Sequence, residues 1–136
     1  MGDLTRTIDP GMETILLVDD DESVRALVRD SFKQQGYTVL EARFNSEALL
    51  IARRHDGPIH LTVVDVMMPG INGRELAYML TSSRPNMKVL YISGYPFEIV
   101  REKLRVVDMA NFFPKSFPIE ALVSKVRELL KANPQP

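Results

Sequence analysis

The chain has 136 residues, of which 45% are hydrophobic and 26% are charged, and its formal net charge is -1. This length and composition suit one globular domain with a core large enough to be stable alone. The near-neutral charge argues against nonspecific binding to nucleic acid or to an anionic membrane, because both require a basic face. The sequence contains no cysteine, which excludes disulfides and thiolate metal sites within it.

No apolar stretch approaches the ~20 residues that a membrane-spanning helix needs, and the first residues carry neither a basic region nor an apolar signal core. We therefore expect a cytoplasmic protein with no membrane partner and no direct nucleic-acid partner. Residues 1–13 are polar with a Pro-Gly breaker, and residues 132–136 contain two prolines. Both segments are predicted to be flexible ends of a domain that occupies residues 14–131.

Short β-branched runs alternate with longer amphipathic stretches along this domain. The predicted strands are residues 14–18, 37–41, 60–64, 88–92 and 111–113. The predicted helices run from Asp21 to Gly36, then over 46–54, 73–82, 96–107 and 119–130. Strand and helix alternating in this way, with right-handed crossovers, predict an α/β fold: a flavodoxin-like doubly wound five-stranded parallel sheet of order 2-1-3-4-5, with helices on both faces.

The fourth predicted helix has two apolar residues, Ile99 and Val106, that point away from its main apolar stripe. They are either ordinary scattered surface hydrophobes or part of a patch on which a partner docks.

Carboxylates follow two of the apolar runs. The first run leads into Asp19, Asp20 and Asp21, and the third leads into Asp65. The predicted order makes these strands neighbours, so their carboxyl ends bring the acids into one crevice. Such a cluster repels itself unless a cation is bound, and oxygen ligands favour Mg²⁺, with Mn²⁺ as the alternative. Asp21 is expected to cap the first helix instead.

The remaining strand ends offer a hydroxyl at Ser93, beside Gly94, and an ammonium at Lys115. A carboxylate attacks phosphorus when a metal and a fixed cation neutralise the phosphoryl oxygens, and a hydroxyl binds one of those oxygens. Each residue alone has a plainer interpretation: a helix cap, a turn or a solvated lysine. Their joint placement favours a phosphoryl site.

Together these motifs, Leu16 to Asp20, Asp65 to Gly70, Ser93-Gly94 and Lys115, resemble the receiver domain of two-component response regulators. The resemblance implies a phosphorelay protein in which Asp65 accepts a phosphoryl group from a histidine kinase or phosphotransfer protein. It also implies Mg²⁺ binding by Asp19, Asp20, Asp65 and the carbonyl of Met67, phosphoryl contacts from Ser93 and Lys115, and a switch aromatic at Phe112. Phe112 is equally interpretable as a core residue.

The segment Ile92 to Tyr95 is also similar to receivers attached to hybrid sensor kinases. The signal would then pass to a downstream protein or to an output domain outside this sequence. The family usually has proline after its lysine, where this chain has Ser116, so this bond is either a costly cis bond or a trans bond that shifts Lys115. Bulky Met67 and Tyr95 near the acceptor predict a fairly long-lived acyl phosphate.

Two other functions remain open from the sequence. Haloacid-dehalogenase-like phosphatases also use an aspartate nucleophile, but their Asp-x-Asp motif has an acid where this chain has Met67. A degenerate receiver would bind partners without phosphorylation, and the Ser116 departure is its only support. We expect the chain to catalyse only its own phosphorylation and dephosphorylation. His55 and His60 lack the companions of a catalytic triad and are expected to be structural or exposed.

Overall fold

The computed structural model describes residues 12–67, 72–104, 111–116 and 118–131. The predicted flexible ends lie almost wholly outside these ranges, as do the 68–70 part of the acceptor motif and Val106.

Strands and helices alternate along the chain. The strands are β1 (Thr14–Val18), β2 (Thr38–Ala42), β3 (Leu61–Asp65), β4 (Lys88–Ser93) and β5 (Phe112–Pro114). The helices are α1 (Glu22–Gln34), α2 (Asn45–Arg54), α3 (Gly73–Ser83), α4 (Phe97–Leu104) and α5 (Ile119–Lys131). Local signals explain several boundaries: the Asp21 side chain caps α1, Asn72 and Glu75 form a capping box on α3, and Gly36 follows α1 with a positive φ of 97°.

All strand pairs are parallel, and the five-stranded sheet has the order β2-β1-β3-β4-β5. The predicted flavodoxin-like topology is thereby confirmed. Parallel strands covered on both faces need apolar residues in succession, and β3 accordingly is buried along its whole length.

Successive residues of a strand face opposite sides of the sheet, and the core is divided in the same way. Ile15 and Leu17 of β1 pack with α1 and α5, whereas Leu16 and Val18 pack with α2 and α3. A smaller cluster of Val66, Val100 and Phe112 holds α4. None of the helices in the described part of the chain has the length and hydropathy that a membrane span requires.

Four of the predicted strands, β2 to β5, end one residue later in the structure than predicted. Asp65 and Ser93 are the last residues of β3 and β4 rather than the first residues after them, because Asp65 still pairs with Ile92 and Ser93 with Pro114. β5 likewise ends at Pro114. In α4, Ile99 is 39% exposed while Val100 is fully buried, as the apolar stripe predicted.

Candidate functional site

The acids predicted to meet do so at the carboxyl edge of the sheet. Val18 pairs with Val64, so Asp19 and Asp65 follow on neighbouring strands. One carboxylate oxygen from each of Asp19, Asp20 and Asp65 lies within 4.8 Å of the others. Asp19 and Asp65 are buried and Asp20 is exposed. Asp21 stays out of this cluster, because its Oδ1 accepts the N–H groups of Ser23 and Val24.

Asp19 is held on several sides. Its N–H donates to the carbonyl of Ala42, and its Oδ1 accepts the N–H of Asp21 at 2.9 Å. Its Oδ2 is buried and accepts no hydrogen bond of good geometry within the described residues, although Lys115 Nζ lies 2.9 Å away. Burial raises the pKa of Asp19 above its usual value, although the Asp21 N–H and the Lys115 ammonium oppose this effect.

Lys115 bridges the two buried acids. Its Nζ lies 2.9 Å from Asp65 Oδ2 and 2.9 Å from Asp19 Oδ2. Burial alone would lower the pKa of the ammonium, but the hydrogen bond that it donates to Asp65 and its attraction to both carboxylates outweigh burial and raise the pKa. The backbone N–H of Lys115 donates to the Ser93 carbonyl at 2.8 Å, which ties the loop after β5 to β4.

Ser116 does not displace the lysine from the acids. The described peptide bonds include no cis bond, so the bond between Lys115 and Ser116 is trans. Of the two arrangements open from the sequence, the trans bond is therefore present, and the ammonium still reaches both carboxylates.

The loop after β3 begins with a tight turn around Asp65. The N–H of Met67 donates to Asp65 Oδ1 at 2.9 Å, which leaves Oδ2 to Lys115. Gly73 then brings the start of α3 against the strand end: its N–H donates to the Val66 carbonyl at 3.0 Å. Asp65 is therefore oriented through both carboxylate oxygens, and its backbone is held by pairing with Ile92 of β4.

Ser93 and Phe112 lie beside this cluster. Ser93 is fully buried, and its Oγ accepts the N–H of Tyr95 at 2.9 Å. Gly94 adjoins open space, since an added Cβ would have no neighbour within 4 Å. Phe112 is 6% exposed and packs edge-on against Phe97, with ring centroids 5.3 Å apart. The structure thus places Phe112 in the core, in contact with Phe97 at the start of α4.

The donor set suits a hard divalent cation. The clustered groups are all carboxylates, and oxygen ligands are those that Mg²⁺ takes. Asp19 Oδ2 is buried, and within the described region its contact with Lys115 lacks good hydrogen-bond geometry, so a metal cation can satisfy this oxygen as well. The carboxylates of Asp19, Asp20 and Asp65 are therefore suitable ligands for Mg²⁺.

Two residues that support the site were missed from the sequence, namely Gly73 and Arg25. Gly73 looked like a helix start, and only the docked structure shows how closely it approaches Asp65. Arg25 lies on the buried face of α1 with Val28 and Phe32. A basic residue at helical spacing from these apolar residues was the available signal.

The fold and the site together define a class: proteins with a doubly wound sheet of this order, an acid cluster and a lysine at its carboxyl edge are response-regulator receivers. The family model "Response regulator receiver domain" matches residues 15–127. The chain therefore belongs to the response regulator receiver domain family.

Relatives fall among both sensor kinases and response regulators. The chain is 34% identical over 121 residues to the sensor kinase CckA of Brucella abortus, covering 89% of this chain and 13% of that protein. It is 36% identical over 119 residues to the response regulator MprA of Mycobacterium leprae, covering 86% of this chain and 50% of that protein. The chain thus spans half or less of the length of these relatives.

Solved structures agree with this assignment. The receiver domain of the hybrid histidine kinase CckA is 34% identical, with a TM-score of 0.71 and coverage of 86% of this chain and 98% of that chain. The response regulator TrrA of Thermotoga maritima, solved in complex with Mg(2+)-BeF, is 29% identical, with a TM-score of 0.72 and coverage of 87% and 99%.

Proposed function

We propose that the chain is a phosphorylated signalling switch in which Asp65 accepts a phosphoryl group from a histidine kinase or a phosphotransfer protein. The observation that carries this proposal is the position of Asp65. Its Oδ2 is 2.9 Å from the Lys115 ammonium, and its carboxylate lies within 4.8 Å of those of Asp19 and Asp20. A carboxylate held between a fixed cation and a set of metal-binding oxygens is equipped to attack phosphorus.

The proposed transfer forms a bond between an Asp65 oxygen and phosphorus and breaks the bond from phosphorus to the donor. As negative charge builds on the phosphoryl oxygens, Lys115 supplies the fixed positive charge and the Ser93 hydroxyl donates a hydrogen bond. Gly94 borders open space, which suits the approach of the group. Bound Mg²⁺, held by Asp19, Asp20, Asp65 and the Met67 carbonyl, would neutralise charge shared by the acids and the phosphoryl oxygens.

The proposed switch begins at Ser93. Its Oγ accepts the Tyr95 N–H, so turning the hydroxyl toward a phosphoryl group changes the start of the loop before α4. Phe112 packs beneath α4 against Phe97 and is placed to follow such a change. The surface that responds would include the exposed Ile99, and the proposed readers are a downstream protein or an output domain.

We also propose that the receiver domain occupies residues 14–131 and works in the cytoplasm, where ATP is available to histidine kinases. The similarity to the receiver domain of CckA supports the further proposal that this domain belongs to a hybrid sensor kinase. We further propose that the chain catalyses only its own phosphorylation and dephosphorylation. The acid cluster and its lysine support phosphorylation over a degenerate, binding-only receiver.

The test is incubation with Mg²⁺ and acetyl phosphate, followed by intact-mass measurement. Wild type should gain one phosphoryl group, and Asp65→Asn should gain none. The matched control is Asp30→Asn, which removes an exposed carboxylate from α1 without touching the cluster, and it should be labelled like wild type. An unlabelled wild type that binds Mg²⁺, or an Asp65→Asn variant that is labelled fully, would contradict the proposal.

A further inference from the structure

Arg25 is a buried cation that is not part of the acid cluster but touches its backbone. It lies in the first turns of α1, is 7% exposed, and shares the buried helix face with Val28 and Phe32. Burying a guanidinium costs free energy unless its N–H groups donate hydrogen bonds to acceptors. The acceptors of Arg25 therefore indicate which parts of the structure it stabilises.

The guanidinium connects two strand ends. Nη1 donates to the backbone carbonyl of Asp19 at 2.9 Å in a buried hydrogen bond, and Nε donates to Glu41 Oε1 of β2 at 3.1 Å. Glu41 supplies the counter-charge and is itself held from the other side by Arg29. Arg25 is therefore fixed by β2 and reaches across to the end of β1.

The acceptor carbonyl belongs to the peptide unit that joins Asp19 to Asp20. The N–H of Asp19 is already bonded to Ala42 and its Oδ1 to the Asp21 N–H, so the carbonyl is the remaining backbone group that orients this turn. Since a peptide unit is planar, fixing its carbonyl fixes the direction in which the chain enters Asp20. Asp20 is the exposed member of the cluster.

We infer that Arg25 is a positioning residue for divalent-cation binding: by holding the Asp19 carbonyl it keeps the Asp20 carboxylate within reach of those of Asp19 and Asp65. The inference rests on the proposed metal site. Two effects of Arg25 oppose each other, because its positive charge alone would weaken cation binding, whereas its hydrogen bond would strengthen it. The direction of change on removing Arg25 therefore distinguishes positioning from simple charge.

The experiment is calorimetric titration of Mg²⁺ into wild type, Arg25→Gln and the control Arg29→Gln. Arg29 lies on the same helix and contacts the same Glu41, but it also pairs with the exposed Asp30. Groups that orient metal ligands typically change affinity by about 10- to 100-fold, so Arg25→Gln should raise the Kd for Mg²⁺ by about tenfold or more. Arg29→Gln should stay within about twofold of wild type, since it removes only a half-exposed charge.

Unchanged or tighter Mg²⁺ binding by folded Arg25→Gln would overturn the inference. If this variant does not fold, Arg25→Lys carries the test. It keeps the charge but has no planar fork to serve both Glu41 and the carbonyl, so its Kd should still rise severalfold; a wild-type Kd would overturn the inference.

A second measurement separates positioning from general damage. With acetyl phosphate, Arg25→Gln should need more Mg²⁺ for half-maximal labelling but reach the wild-type rate at saturating Mg²⁺. A lowered rate at saturation would contradict a positioning role. Failure of wild type to take label while binding Mg²⁺ would refute the proposed function alone, because the titration would still report on Arg25.

Discussion

The start of α3 contacts the end of β3 so closely that a Cβ on Gly73 would lie 2.6 Å from the backbone oxygen of Asp65. The same Cβ would lie 2.7 Å from the Cα of Val66. Both neighbours are backbone atoms, which cannot move aside as the end of a flexible side chain can. Gly73 therefore sets how tightly the helix closes over the proposed phosphoacceptor.

Gly73→Ala should destabilise the fold and slow phosphorylation, although alanine is the better helix former. Overpacking of this kind typically costs about 1–3 kcal/mol, more than the helix propensity gained. Urea unfolding measures the first effect and the rate of labelling by acetyl phosphate the second. Gly94→Ala is the matched control for stability, since its Cβ would meet open space. Equal stabilities of the two variants would contradict the close contact.

Replacing Lys115 with methionine should lower the free energy of unfolding of the metal-free protein at neutral pH. The substitution keeps most of the side-chain volume but leaves Asp19 and Asp65 facing each other without the ammonium that lies 2.9 Å from each. Removing one partner of a buried ion pair costs several kcal/mol, and because Lys115 retains some exposure we expect about 1–3 kcal/mol.

Saturating Mg²⁺ should recover part of the stability lost in Lys115→Met, because a bound cation also separates the acids. The comparison is thermal unfolding of wild type and variant with and without Mg²⁺. The pKa of Lys115 is raised in the fold, so the wild-type advantage should persist below 10.5 and disappear as pH rises through the raised value. If wild type remained more stable than Lys115→Met by the same amount in strongly alkaline solution, the ammonium would not be the source of the difference.

The topology and the acid cluster were predictable from the sequence, for physical reasons that particular residues show. The apolar run before Asp19 has no polar face, which is typical of a strand covered on both sides. Once β1 and β3 are neighbours, the register of Val18 with Val64 makes the meeting of Asp19 and Asp65 unavoidable. Lys115 follows by the same rule from the end of β5.

What the sequence did not reveal depends on contacts between distant segments. Asp65 and Ser93 lie inside their strands because pairing with β4 and β5 continues through them, which local patterns do not encode. The role of Arg25 requires Glu41 and a backbone carbonyl to come together in space. The Gly73 contact likewise exists only when α3 has docked.

The raised pKa of Asp19 predicts how stability depends on pH. A carboxyl group whose pKa is higher in the folded than in the unfolded state adds stability below its ordinary value of 3.8, and this contribution is lost as pH rises through the folded pKa. At neutral pH the ionised form of Asp19 therefore lowers the free energy of unfolding.

Asp19→Asn removes this cost, because the amide stays neutral at every pH. The free energy of unfolding of the variant, relative to metal-free wild type, should rise between pH 3.8 and neutrality and stay flat below that range. The variant should also lose the stabilisation that Mg²⁺ gives wild type. Chemical denaturation across this pH range provides the measurement, and a pH-independent difference would contradict the assignment.

Arg84 offers a substitution that should affect stability alone. Its guanidinium donates to the carbonyls of Ala52, His55 and Gly57, at 2.8, 2.9 and 2.9 Å, and so caps the end of α2 from the end of α3. Arg84→Met should lower the free energy of unfolding by about 1.5–3 kcal/mol, the usual range for charged hydrogen bonds. Labelling by acetyl phosphate should remain at the wild-type rate where the variant is folded, and a large loss would reveal coupling to the site.

The lifetime of the phosphorylated protein should depend on the side chains that flank Asp65. Tyr95 is 51% exposed, and its backbone N–H donates to Ser93 Oγ, so the residue adjoins the proposed site. Met67 is half-buried, with its N–H on Asp65 Oδ1. An acyl phosphate is lost when water reaches the phosphorus in line, and we expect bulky side chains near the acceptor to restrict that approach. Wild type should therefore keep its label well beyond seconds after acetyl phosphate is removed.

Tyr95→Ala should shorten the lifetime of the phosphorylated protein, whereas Tyr78→Ala, at an exposed position on α3, should not. Loss of wild-type label within seconds, measured by quenched-flow mass spectrometry, would show that these side chains do not shield the phosphoryl group.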